Sequence, residues 1–194
     1  MVPAVSSPPG RRPCVLIPGS ALICHGVVAP RRTRVTGAGL ACRDVDRVDW
    51  LVLFLAAEAR CPVAPVRVQK GLFLLAKSTL LPRSERYGFE PYNYGPMSRE
   101  LYRDVRRLCS DGLAEIQPRL GAPDGRTWRA VALTAAGRRH AAKLRVRARS
   151  QHLEALREVA SIRATVDELT FTELLTLVYD RYPEYAARSV FRRP

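Results

Sequence analysis

A mainly α-helical domain carrying a short β-hairpin is the fold class this sequence predicts, and three observations predict it. From Asp46 onward, apolar residues recur at three- and four-residue steps in successive stretches. Proline, glycine and aspartate punctuate those stretches where turns are needed. Late in the chain, two β-prone runs flank the turn-forming residues Gly121, Pro123, Asp124 and Gly125.

Residues 1–44 stand apart from this pattern. Pro, Gly, Arg, Ser and Val alternate there without periodicity, so a disordered basic leader is expected. A start codon assigned too far upstream would leave the same signature. Arg11-Arg12 ahead of Cys14 to Cys24 has the outline of a signal peptide, but Pro18 and Gly19 interrupt its apolar run. The folded unit is expected over residues 45–194, and 194 residues suit one core with extensions better than two full domains.

In the first helix, Val48, Leu51, Val52, Leu55 and Ala59 fall on one face, with an end expected near Pro62. Pro65 suits the first turn of a second helix, whose stripe is Val68, Leu72, Leu75 and Thr79 and which Pro82 closes. Phe89 to Pro96 cannot be helical, because two prolines and a glycine break it while its aromatics favour extended chain. Gly95-Pro96 is expected to begin the third helix. Leu101, Val105 and Leu108 give that helix a buried face, and Asp111-Gly112 stops it.

Strands are expected around Ala114 to Pro118 and Thr127 to Leu133. Three helices followed by a hairpin is the winged-helix order, so the prediction is a winged-helix-like helical domain with extra C-terminal helices. Thr134 can cap the next helix, which Arg138, Arg139, Lys143, Arg145, Arg147 and Arg149 make strongly basic. A break is expected before Thr170. Thr170 and Glu173 have capping-box spacing, and Phe171, Leu174, Leu175 and Val178 supply the apolar face of a last helix ending near Tyr182-Pro183.

The net charge is +14, from 32 Lys and Arg against 18 Asp and Glu. The first 44 residues hold six Arg and one Asp, which leaves 26 basic and 17 acidic residues, or +9, for the remainder. Such an excess favours polyanions or acidic protein surfaces as partners. The five cysteines, Cys14, Cys24, Cys42, Cys61 and Cys109, form neither a C-x-x-C pair nor a zinc-type spacing, and Cys24-His25 has no second cluster to complete a metal site. No metal or cofactor is expected. No run approaches the roughly 18 apolar residues that cross a bilayer, so the protein is expected to be soluble and, with its unpaired thiols, cytoplasmic. Phosphate-cradling glycine loops, H-E-x-x-H and nucleophile elbows are absent, and His25, His140 and His152 lie near no convincing nucleophile, so an enzyme is not expected.

Two stretches, Val68-Gln69-Lys70-Gly71-Leu72-Phe73-Leu74-Leu75 and Phe89-Glu90-Pro91-Tyr92-Asn93-Tyr94-Gly95-Pro96-Met97-Ser98-Arg99-Glu100-Leu101-Tyr102, resemble the Panacea, or SocA-like, antitoxin-associated domain. Weaker similarity continues through Asp111-Gly112-Leu113, Leu133 to Gly137 and Val178 to Tyr185. The resemblance covers about residues 48 to 190. It implies a helical, winged-helix-like domain of bacterial or phage origin that neutralises a toxin encoded beside it or delivers one to a protease. It also points to Tyr92, Tyr94, Gly95, Pro96, Ser98, Arg99 and Tyr102 as the partner-binding motif.

The same turn residues also suffice to shape the entry to the third helix, with Gly and Pro setting the bend and the tyrosines burying their rings. For the rival reading, a DNA-binding regulator, Arg99, Arg103, Arg106 and Arg107 would enter the major groove with Arg119, Arg126 and Arg129 on the wing. Glu100 and Asp104 count against it, since they can pair with Arg103 and Arg107 and would repel phosphates. Arg138, Arg139 and Lys143 open a stretch with no acid up to Arg149, a better phosphate or acidic-partner candidate that is otherwise a solvated helix face.

Overall fold

The computed structural model describes residues 45–57, 62–120 and 127–191. The leader, Ala59 and Arg126 lie outside them, and with them the expectations that concern those residues. The described chain is mainly α-helical with short antiparallel β-hairpins.

Helix α1 (Arg47–Leu55) opens on a capping box: the Asp46 carboxylate accepts from the N–H groups of Val48 and Asp49, and Asp49 accepts from Asp46 in return. Every residue from Asp49 to Leu55 is buried, which makes α1 the central helix rather than a one-faced surface one. It stops at Leu55, short of Pro62, where the fully buried Arg163 donates to the Phe54 carbonyl at 3.1 Å. Helix α2 (Pro65–Lys77) carries proline in its first turn and buries Val68, Leu72 and Leu75. Thr79 lies beyond its end and is exposed. α2 approaches α1 so closely that a Cβ on Gly71 would fall 2.2 Å from the Phe54 ring.

The expected start of the third helix needs correcting. Gly95 and Pro96 are not helical: β1 (Glu90–Tyr92) and β2 (Gly95–Met97) form an antiparallel hairpin with Tyr92 opposite Gly95. Gly95 has φ +81°, the left-handed region that closes a tight turn and that a helix start excludes. α3 (Arg99–Ser110) begins after the hairpin, capped by Ser98, whose hydroxyl accepts from the Leu101 N–H. It buries Leu101, Val105 and Leu108 as the periodicity requires.

β3 (Ala114–Leu120) and β4 (Thr127–Leu133) pair in full antiparallel register, and Val63 adds a bridge to Val131 with both backbone bonds at 2.8 Å. Thr134 caps α4 (Ala135–Arg149) by accepting from the Gly137 N–H. The break expected before Thr170 is limited to residues 150–152 and 169–170. A 16-residue helix, α5 (Leu153–Glu168), lies between them and packs against α2, α1 and α4. Ala155, Val159, Ile162 and Val166 are its buried face, at the 4-3-4 spacing of a helix. α6 (Phe171–Arg181) starts on the expected Thr170–Glu173 capping box and buries Leu174, Leu175, Val178 and Tyr179.

Candidate functional site

The β1–β2 turn is held from beneath by α2. The Gln69 side chain donates to the Ser98 carbonyl at 3.0 Å and accepts from the Ser98 N–H at 2.9 Å, with both residues buried. One residue on, the Lys70 ammonium donates to the Pro96 carbonyl at 2.9 Å. Burial pushes the Lys70 pKa down to about 7, because the charged form is poorly solvated there. The chain's end clasps the turn from the side. Tyr179 donates its hydroxyl to Ser189 at 2.6 Å, Ser189 donates to the Asn93 carbonyl at 3.3 Å, and the Val190 N–H reaches the same carbonyl at 2.9 Å.

What faces outward is aromatic and basic. Tyr92 is 45% exposed and Tyr94 48%, with Tyr102 exposed on the first turns of α3. Tyr94 stands edge-on to Phe171 at 5.9 Å, and Phe171 meets Phe191 at 6.4 Å. Tyr102 has its hydroxyl pKa raised by partial burial, with the Tyr92 hydroxyl adding to the shift. Gly95, Pro96 and Ser98, by contrast, are buried, so within the motif the structure separates framework from surface.

Most α3 arginines face a carboxylate. Arg99 meets Glu90 at 3.1 Å, Arg103 meets Glu100 at 3.9 Å, and Arg107 meets Asp111 at 3.8 Å. The expected Asp104–Arg107 pair does not form. Asp104 turns inward, where its carboxylate lies 3.3 Å from Arg47 Nε without the alignment of a hydrogen bond. Glu100 takes a true hydrogen bond from Arg47 at 3.0 Å. Arg106 is exposed with no ion-pair partner among the described residues.

The basic helix is likewise divided. Arg138 donates to the Leu133 carbonyl, Arg145 to the Ala56 carbonyl, and Arg147 to the buried Asp49 at 3.2 Å. Burial raises the Asp49 pKa, against the pull of Arg147 and of His140, 4.0 Å away. Arg139 and Lys143 remain exposed on α4, and Arg129 is exposed on β4. Arg119 sits on β3, and Arg126 lies outside the described residues.

Sequence reasoning missed two sets of buried polar side chains, the first of which positions this surface. Gln69 and Lys70 lie in the apolar stripe of α2, where polar side chains break the pattern; that break is the readable signal. Arg163 is the other. It pairs with Asp167 at 2.9 Å four residues on, a spacing open to inspection, but its bond to the Phe54 carbonyl depends on tertiary packing.

Among the described residues, no group of three or more His, Cys, Asp or Glu is placed to hold a metal ion. No helix among them is long and apolar enough to cross a membrane. No protein-family model matches the chain, and neither a curated protein nor a solved structure matches it.

Proposed function

We propose that this chain is a non-enzymatic protein-binding domain, the antitoxin of a toxin–antitoxin pair or the adaptor that delivers a toxin to a protease. The observation that carries the reading is the exposure of Tyr92 and Tyr94 on a turn whose backbone is fixed by Gln69 and Lys70, with Tyr102 exposed on α3 just after it. Rigid aromatic rings bury large areas at small entropic cost, and tyrosine and arginine dominate interface hot spots. Arg106 beside them, exposed and with no ion-pair partner among the described residues, suits an acidic partner surface. The choice of toxin or protease system as partner comes from the Panacea-like motif.

Co-expression with the product encoded beside this chain tests the reading. The two proteins should co-purify, and a Tyr92→Ala, Tyr94→Ala, Arg103→Ala variant should lose the complex while melting at the same temperature. A neighbour that is neither toxic nor bound removes the antitoxin reading.

The second reading, a DNA-binding regulator, is favoured by Arg106, exposed with no ion-pair partner among the described residues, together with the exposed Arg129, Arg139 and Lys143. It is weakened by the carboxylates facing Arg99, Arg103 and Arg107, which would have to be displaced or brought near phosphates. Duplex binding that falls steeply with salt, and that Arg106→Ala with Arg129→Ala weakens, would favour it.

A further inference from the structure

A groove of about 350 Å³ runs between the C-terminal end of α1, the C-terminal half of α4 and the start of α5. It shares no residue with the surface around Tyr92. Leu156 and Val159 lie in it, and Leu153 is 41% exposed along its edge. Arg145, Arg149 and Arg157 also line it. Arg145 spends one N–H on the Ala56 carbonyl at 3.1 Å. Among the described residues, no carboxylate pairs with any of the three. Val146, 77% exposed and outside the groove's lining, neighbours Arg149 three residues on along α4.

An apolar strip bordered by guanidinium groups that no carboxylate faces among the described residues is matched by an occupant that brings both parts of the complement. Arg145 and Arg149 lie one helical turn apart, and Arg157 is on the next helix. Nucleic acid would satisfy the arginines but leave Leu153 and Leu156 without an apolar partner, since a duplex edge is phosphate and sugar. A purely apolar segment would strand the guanidinium groups. We propose that the groove docks an acidic amphipathic segment of a partner protein, apolar side chains seated on Leu153 and Leu156 and carboxylates paired with Arg145, Arg149 and Arg157. The geometry is that of a helix laid into a groove, with charge fixing its register.

Panning phage-displayed random peptides of about three helical turns against the full chain tests this. The enriched peptides should carry Asp or Glu beside Leu, Ile or Phe at three- and four-residue spacing. A synthetic copy of the strongest should bind about tenfold more weakly to an Arg149→Glu, Arg157→Glu variant, and increasingly weakly as salt is added. Arg149→Lys with Arg157→Lys should restore part of the affinity, and Tyr92→Ala with Tyr94→Ala should leave it unchanged. Leu153→Asp should lower it without the charge reversal, while circular dichroism confirms that each variant is folded. Enrichment without acidic residues, or equal binding to the charge-reversed variant, overturns the proposal. So does self-association of the chain that Leu153→Asp abolishes, or displacement of the peptide by duplex DNA with the greater affinity for the groove.

Discussion

The Gln69 side-chain amide forms two hydrogen bonds with the backbone of a single residue, Ser98, donating to its carbonyl at 3.0 Å and accepting from its N–H at 2.9 Å. A helix in the core thereby fixes the last residue before α3. Gln69→Leu should leave both Ser98 groups buried and unsatisfied, at about 1–3 kcal/mol for each. Urea unfolding measures the loss, and a stability within experimental error of the parent chain would show that the pair is dispensable.

Lys70 gives stability a pH dependence of definite sign. Its pKa falls from 10.5 in the open chain to about 7 in the fold, so between those values the unfolded chain binds the extra proton. Stability from this group therefore rises as pH increases through that window, and below about 7 the penalty is constant. Lys70→Met should flatten the rise in unfolding free energy between about pH 7 and about pH 10. An unchanged slope would show that Lys70 carries its proton in both states.

Gly71 is required by contact rather than by backbone conformation. A methyl group there would meet the fully buried Phe54 ring at 2.2 Å, so Gly71→Ala should push α1 from α2 and cost about 1–3 kcal/mol. Phe54→Leu should cost stability alone but recover part of the loss when combined with Gly71→Ala. Simple addition of the two effects in a double-mutant cycle would contradict the packing account.

Arg163 is fully buried, bonded to Asp167 and to the carbonyl of Phe54. Arg163→Ala leaves Asp167 without its cation and the Phe54 carbonyl with the longer Ala57 N–H bond at 3.3 Å, and should destabilise by about 3–5 kcal/mol. Arg163→Lys should restore little, since one ammonium cannot reproduce the guanidinium fork. Thermal melts of the two variants would separate charge from geometry; full rescue by lysine would assign the effect to charge alone.

Apolar spacing made the helices legible wherever one face is buried, as at Leu101, Val105 and Leu108, and hydroxyl caps marked the starts of α4 and α6 at Thr134 and Thr170. α5 has an equally regular face in Ala155, Val159, Ile162 and Val166, hidden among charged residues and beside the expected break. The hairpin at Glu90–Met97 escaped because its strands are three residues each, too short for alternation to register. Of the candidate site, the residue types were readable in the turn itself. Which of them face outward was not, because Gln69, Lys70 and Ser189 decide it from distant parts of the chain.

The hydrogen bonds that hold the turn end on backbone atoms of Asn93, Pro96 and Ser98, and none of them involves the side chains of Tyr92, Asn93 or Tyr94. In the binding role proposed for this turn, recognition and folding would be carried by different atoms of the same residues. On that proposal, exchanges at Tyr92, Asn93 and Tyr94 would change the partner-facing atoms without removing any of these hydrogen bonds, so that a binding domain could keep pace with a partner that is itself evolving.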